Sequence, residues 1–400
     1  MNDRYATAES TAPVKSSAIM DSLIVVLPIR GPVPQRTRAF ICSELLHYNY
    51  GSPDFEKGNL LQSFIPRIGI TLGDPAGIGT EIAVRTLADS SIYQLCNPIL
   101  FGSPDVVARE LKQLGSNLSL KVVSPMDELS GTAAEVVVVE TSGAEALVPY
   151  GHISKAGGEA AVKSIKAAVT AALAGEIDAI TTAPLNKESM RNAGFHYDGH
   201  TELLAELTKC SSVSMLLIGN QLRVAHLTTH SALRTVADKI TEERLREVIR
   251  IAFEAMRNYG FENPRIAVAG INPHCGENGL FGDEERTLMR PVIDSIAATG
   301  IDVRGPISPD AVFIEAMADK YDIVVVAYHD QGHIPVKLIE RDHAVNVSGG
   351  LPIIRTSVDH GTAFDIAGKG IADIVNMKSA ITMAAKMAVG RGSAERAKST

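Results

Sequence analysis

The amino-acid sequence predicts an α/β fold, and three observations carry that prediction. Short apolar runs of strand length recur from Arg67 onward: IGITL, PILFG, EVVVVE, DAITTA, SMLLIG, LRVAHL, RIAVAG and DIVVVA. These runs are apolar throughout rather than alternating, as expected for strands of a parallel sheet covered on both faces. Stretches of helical period separate them. The chain also has 400 residues, more than one core usually serves, so two subdomains or one large α/β unit with a tail is expected.

The helices follow from spacing. Lys155 to Leu173 is alanine-rich with Val162, Ile165, Val169 and Leu173 along one side, and Glu242 to Tyr259 sets Leu245, Val248, Ile249, Ala252 and Met256 on one face. Residues 1–65 keep neither period and scatter Ser, Thr and Pro among short apolar pieces, which predicts a poorly ordered extension dispensable for catalysis. Lys plus Arg number 38 against 46 Asp plus Glu, a net charge of −8. That balance lacks the basic footprint of a nucleic-acid or acidic-membrane partner. Cys42, Cys96, Cys210 and Cys275 form no CxxC pair, so neither a zinc ribbon nor a disulfide framework is signalled. No apolar run approaches the ~20 residues of a membrane span, and the polar start is unlike a signal peptide. A cytoplasmic protein acting on small molecules is the expectation.

Three histidines share a positional feature. His230 closes LRVAHLTTH, His274 closes RIAVAGINPH and His329 closes DIVVVAYH, each beyond the carboxyl end of a predicted strand, where ligand sites of open α/β sheets gather. Neutral imidazoles bind zinc, manganese or cobalt, and three of them leave coordination positions open for a substrate. A lone histidine is more often a hydrogen-bonded structural residue; three at equivalent strand ends fit that reading poorly. His226 is a rival ligand expected deeper in the fold, and Cys275 is a weaker one.

Gly73-Asp-Pro-Ala-Gly-Ile-Gly79 forms a strand, glycine turn and helix start, equally readable as a tight structural turn or a phosphate cradle. In Gly199-His200-Thr201-Glu202, Thr201 is positioned to cap a helix, and His200 with Thr201 is a candidate substrate contact. Lys337 and Arg355 flank apolar pieces expected to be buried, Ile334 to Val336 and Leu351 to Ile354, as two cations converging on a phosphate or carboxylate would. The segment from His360 to Gly370 resembles the adenosine-binding loop of isocitrate and isopropylmalate dehydrogenases. It nominates His360, Gly361, Thr362, Ala363 and Asp365 for NAD.

Taken together, GDPAGIG, TTAPLNKE, GHTELLAE, TTHSALR, NPHCGENGLFGDEE, YHDQGHIPVK and LPIIRTSVDHGTAFDIAGKG resemble the 4-hydroxythreonine-4-phosphate dehydrogenase family from Arg67 to about Ala388. Thr80, Cys275 and the N-terminal extension depart from its pattern. The resemblance implies two α/β/α subdomains flanking a cleft, isocitrate/isopropylmalate dehydrogenase-like, with residues 66–197 plus 361–400 in one and 198–360 in the other. It also implies a homodimer with a shared active site, in which His230 and His274 of one chain and His329 of the other bind one divalent metal (zinc, magnesium, cobalt or manganese). Substrate contacts are implied for His200, Thr201, Lys337, Asn346 and Arg355, with Asp310 nearby. The sequence leaves the general base open among Asp310, Lys187 and a metal-bound water.

GENGLFGDEE, QGHIPVK and GTAFDIA look closer to the branch acting on D-threonate or D-erythronate 4-phosphate than to the vitamin B6 branch. The implied reaction passes hydride from the carbon bearing the substrate's secondary hydroxyl to NAD while a base takes the hydroxyl proton, after which the β-keto acid loses carbon dioxide to leave dihydroxyacetone phosphate. Rivals are a phosphoester metallohydrolase, which would want paired carboxylates that the motifs lack, a phosphometabolite-binding protein without catalysis, and a dehydrogenase for cyclic diols bearing carboxylates.

Overall fold

The computed structural model describes residues 64–123 and 131–399, so the expected extension at 1–65 lies almost wholly outside the described residues. Among the described residues twelve strands form one sheet in the order β3-β4-β2-β1-β5-β12-β11-β6-β7-β10-β8-β9. They are β1 (Arg67–Thr71), β2 (Asn97–Gly102), β3 (Ser119–Val123), β4 (Glu135–Glu140), β5 (Ala179–Thr182), β6 (Ser214–Ile218), β7 (Arg223–His226), β8 (Ile266–Ala269), β9 (Val303–Ile307), β10 (Ile323–Val326), β11 (Val345–Gly349) and β12 (Ile354–Ser357). Every apolar run singled out in the sequence is a strand.

The sheet is mixed rather than parallel throughout. β6 runs antiparallel to both β7 and β11, and β11 antiparallel to β12. Only residues 219–222 join β6 to β7, and the Gly219 amide donates to the Leu222 carbonyl at 3.0 Å. So short a link closes a hairpin, whereas a parallel crossover needs a dozen residues or more.

Both predicted helices appear with the expected bounds. Ser154 caps Lys155–Leu173 by accepting from the Gly157 amide at 3.0 Å. Thr241 caps Glu242–Tyr259 in the same way, and Gly260 ends that helix in the left-handed conformation at φ 116°. Leu245, Val248, Ile249, Ala252 and Met256 of the second helix are all buried; in the first, Leu173 lies at the last turn and is half exposed.

Alternation along the strands divides the core. On one face a continuous cluster runs the length of the sheet, from Ile68, Leu100 and Val138 through Ile354, Val345 and Val347 to Ala225, Val325 and Val268. On the other face the core is split in two. Ile99, Phe101 and Ile180 pack under Lys155–Leu173, while Leu217, Val224, Val326 and Ala267 pack under the helix Pro309–Met317 and part of His329–Glu340. Between these two cores lie β12 and β11, beside β5, where the chain passes from one half of the sheet to the other. Among the described residues no helix is long and apolar enough to cross a membrane.

Candidate active site at the seam of the sheet

Because Ile354, Val345 and Val347 point into the continuous core, Arg355, Asn346 and Ser348 must face the opposite side, into the seam between the split cores. Arg355 is 2% exposed and donates to Ser348 Oγ at 2.9 Å and Thr182 Oγ1 at 2.6 Å, with its Nε buried and unpartnered. Among the described residues no carboxylate pairs with it. Burial pushes the guanidinium down to about 9, still well above neutrality, so the seam holds a buried positive charge met only by hydroxyls. Such a charge is stabilised by an anion.

The rest of the seam is equally short of partners. Asn346 Oδ1 and His200 Nε2 are buried without a hydrogen bond. Burial and the charge of Arg355 hold the His200 imidazole well below its usual range, so it is neutral. The helix His200–Leu207 starts at His200 with Gly199 at the cap position, and no side chain caps it. Thr201 is therefore not a cap, as the sequence suggested, but the second helical residue, whose amide is among the free donors of the first turn.

A cluster of imidazoles stands at the carboxyl ends of β7 and β10. His230 follows β7, His329 opens the helix His329–Glu340 after β10, and their ring centres are 5.9 Å apart. His329 Nδ1 lies 2.7 Å from Asp330 Oδ1; the carboxylate accepts that proton and leaves Nε2 bare, the arrangement usual for a metal-binding histidine. Behind them His226 and His333 are buried, and burial depresses the first to about 3 and the second to about 4.

His274 follows the neighbouring strand β8 but turns elsewhere, its Nδ1 being 3.8 Å from Asp310 Oδ2. It begins a turn in which His274, Cys275, Gly276, Glu277 and Asn278 all have positive φ, from 44° to 77°. The buried Glu285 carboxylate holds the base of this turn, accepting from the Ile271 and Asn272 amides at 2.8 and 2.7 Å. The resemblance grouped His230 with His274, whereas the chain itself brings His230 to His329. Among the described residues no three ligating side chains converge within one chain.

The remaining nominated residues are dispersed. Lys337 is half exposed and pairs with Asp359 Oδ2 at 2.9 Å. Val336 is buried as expected, but Ile334 is 56% exposed, because the helix turns that face outward. Lys187 is exposed at the start of the helix Lys187–Asn192, and no ion pair among the described residues engages it. Asp310 is exposed, and the Ser308 hydroxyl lowers its carboxyl's pKa, keeping it anionic.

The glycine turn is filled by the chain itself. A Cβ on Gly73 would meet the Pro184 carbonyl at 2.0 Å, and one on Gly77 the Thr362 carbonyl at 2.8 Å, so these glycines permit close packing rather than leaving an anion cradle. The turn instead seats the other loop, since the Ile78 amide donates to the Thr362 carbonyl at 3.0 Å. His360, Gly361 and Asp365 are exposed on that loop, Thr362 is partly buried, and Ala363 has a positive φ of 43°.

Sequence reasoning gave no role to Thr182, Ser348 or Asp330 and did not pair His226 with His333. Thr182 lies inside TTAPLNKE, but only the pairing of β12 with β5 shows that its hydroxyl meets Arg355.

The family described as pyridoxal phosphate biosynthetic protein PdxA matches residues 94–384. The chain belongs to the PdxA family. A D-threonate 4-phosphate dehydrogenase of Pectobacterium atrosepticum is 44% identical over 324 residues, 80% of this chain and 99% of that protein. A 4-hydroxythreonine-4-phosphate dehydrogenase of Geobacter metallireducens is 45% identical over 329 residues, 82% of this chain and 97% of that one. The crystal structure of a 4-hydroxythreonine-4-phosphate dehydrogenase from Klebsiella pneumoniae superposes with a TM-score of 0.76 at 42% identity, covering 81% of this chain and 99% of the other. These relatives are dehydrogenases, and this PdxA-family chain is an oxidoreductase with their fold.

Proposed function

We propose that the protein is a metal-dependent, NAD-linked dehydrogenase that oxidises and decarboxylates a 4-phosphorylated hydroxy acid, D-threonate or D-erythronate 4-phosphate, to dihydroxyacetone phosphate and carbon dioxide. 4-Hydroxythreonine 4-phosphate is the alternative substrate, and relatives at 44% and 45% identity carry the two names. The observation that carries this reading is the buried cation at the seam, Arg355 bonded only to hydroxyls.

In this reading Arg355, His200, Asn346 and the first-turn amide of Thr201 hold the anionic substrate at the seam, with Lys337 reaching it if it exchanges Asp359 for the ligand. The lobes on either side are residues 66–197 with 361–400 and residues 198–360. His230 and His329 of one subunit, with the partner subunit's His274, fit a divalent cation, which when bound would lower the pKa of the substrate hydroxyl. The Asp330 carboxylate at His329 Nδ1, which turns Nε2 outward as the ligating atom, supports that fit. Asp310, anionic beside His274, is the favoured base, with Lys187 and a metal-bound water as the alternatives. Leu233, Leu280, Ile314 and Leu338, between 69% and 76% exposed, lie on the same loops and helices as His230, His274, Asp310 and His329. Apolar residues so exposed beside a site suit a surface covered by a second subunit.

The loop His360, Gly361, Thr362, Ala363 and Asp365 would hold the cofactor's adenosine, and Gly77→Ala tests it. The added methyl would press on the Thr362 carbonyl, so KM for NAD should rise roughly tenfold, the equivalent of about 1.4 kcal/mol of misplacement. An unchanged KM would put the cofactor elsewhere. The function as a whole is tested by following NAD reduction with a panel of 4-phosphorylated four-carbon acids and a divalent metal. Reduction with D-threonate or D-erythronate 4-phosphate is expected. Reduction with only the 2-amino substrate would move the protein to the other branch, and phosphate release without reduction would make it a hydrolase.

A further inference from the structure

Two histidines that no proposed role uses are packed together behind the imidazole cluster. His226, at the end of β7, is fully buried, and His333 is 5% exposed one turn beyond His329 on the helix His329–Glu340. The His333 and His329 rings lie face to face, 3.7 Å between centres and 10° from parallel. His333 Nδ1 is 3.1 Å from His226 Nε2 and 3.2 Å from the His329 carbonyl, and His226 Nδ1 is 2.9 Å from the Met215 carbonyl. Glycine at 332 makes room for this, since a Cβ there would stand 2.8 Å from His226 Nε2.

The hydrogen bonds assign the protons. A carbonyl only accepts, so His226 carries its proton on Nδ1 and presents a bare Nε2. His333 must then donate from Nδ1, to His226 Nε2 and to the His329 carbonyl. Two buried polar rings are costly compared with an apolar pair of the same volume, and leucine or methionine would fill the space. What an apolar side chain would not supply is a flat, oriented surface against His329.

We infer that His333, seated on His226, is a positioning residue that fixes the plane of the His329 imidazole so that its Nε2 faces the bound cation. The inference rests on the reading of His329 as a metal ligand. Asp330 fixes which nitrogen is bare, and the His333 ring fixes where that nitrogen points. Without the stacked ring, His329 turns about its side-chain bonds and meets the cation less often in the right geometry.

The test uses the full-length protein with cobalt(II) as the probe, reading affinity by chelator competition, the visible absorption of the cobalt-loaded protein, and Tm. His333→Leu should weaken cobalt binding by ~10- to 100-fold, the usual range for losing a group that orients a ligand, and should alter the spectrum. His333→Phe keeps a flat ring and should restore most of the affinity. His226→Asn keeps a donor for the Met215 carbonyl but removes the seat of His333; it should weaken binding on its own and add little to His333→Leu. Cobalt affinity and spectrum unchanged in both His333→Leu and His226→Asn, with His329→Ala losing the ion, would overturn the positioning role alone. If His333→Leu does not fold, an unchanged His226→Asn spectrum overturns it as well. His329→Ala binding cobalt as tightly as the unaltered protein would overturn both this role and the metal site it serves.

Discussion

Replacing Arg355 with methionine should cut kcat/KM for the phosphorylated substrate by roughly 100- to 1000-fold, since removing one member of a buried, hydrogen-bonded charge pair commonly costs 2–5 kcal/mol. Tm of the ligand-free protein should stay within a few degrees or rise. In the absence of substrate Arg355 is a buried cation without a carboxylate, so its removal relieves desolvation and leaves only the Thr182 and Ser348 hydroxyls to find new partners. Inorganic phosphate separates this from a structural role. An anion held at 100 times its Kd stabilises the native state by about 2.7 kcal/mol, so phosphate should raise Tm of the unaltered protein and not of Arg355→Met. Arg355→Lys keeps the charge but loses the two-pronged donor and should fall between. A large fall in Tm with a proportionate loss of activity would mean that Arg355 holds β12 in place and binds nothing.

The second large effect concerns how two subunits share the histidines. His274→Ala and His329→Ala should each be nearly inactive as homodimers, and mixed with subunit exchange they should recover roughly a quarter of full activity, because half of random dimers are mixed and each has one intact site. The intrachain approach of His230 to His329 at 5.9 Å predicts more. His230→Ala mixed with His274→Ala should recover likewise, and His230→Ala mixed with His329→Ala should not. Recovery from the last pair alongside none from the second would make His329 the residue that crosses, as the family resemblance implied. No recovery from any pair with exchange confirmed would place all three ligands in one chain.

The strands that pack on both faces were legible because their runs are mostly apolar. β11 and β12 were not, since the site interrupts that pattern: Asn346, Ser348, Arg355 and Thr356 put polar side chains where a buried strand would carry valine. β9 was hidden by the Gly-Pro within VRGPI, and β3 by the exposed positions of an edge strand. The hairpin of β6 and β7 had a signal, the Gly-Asn after SMLLI, that a search for parallel units overlooks. Strand ends pointed to His230, His274 and His329, but partners depend on side-chain direction, which spacing does not contain. His226 shows this: nearness in sequence made it a rival to His230, and its burial turns it toward His333 instead.

The left-handed turn from His274 to Asn278 has a consequence for how this chain would evolve under different pressures. Four of its five residues are not glycine, and each such residue held left-handed is disfavoured by roughly 1–2 kcal/mol. In a library selected for heat resistance alone, glycine should therefore accumulate at 275, 277 and 278, sites where a helix or strand would never welcome it. In the same library selected for turnover, those glycines should be rarer, since a looser turn no longer delivers His274 to one place. Sequencing the two pools would show enrichment of opposite sign within a few residues, marking the stretch of backbone where durability and turnover make incompatible demands.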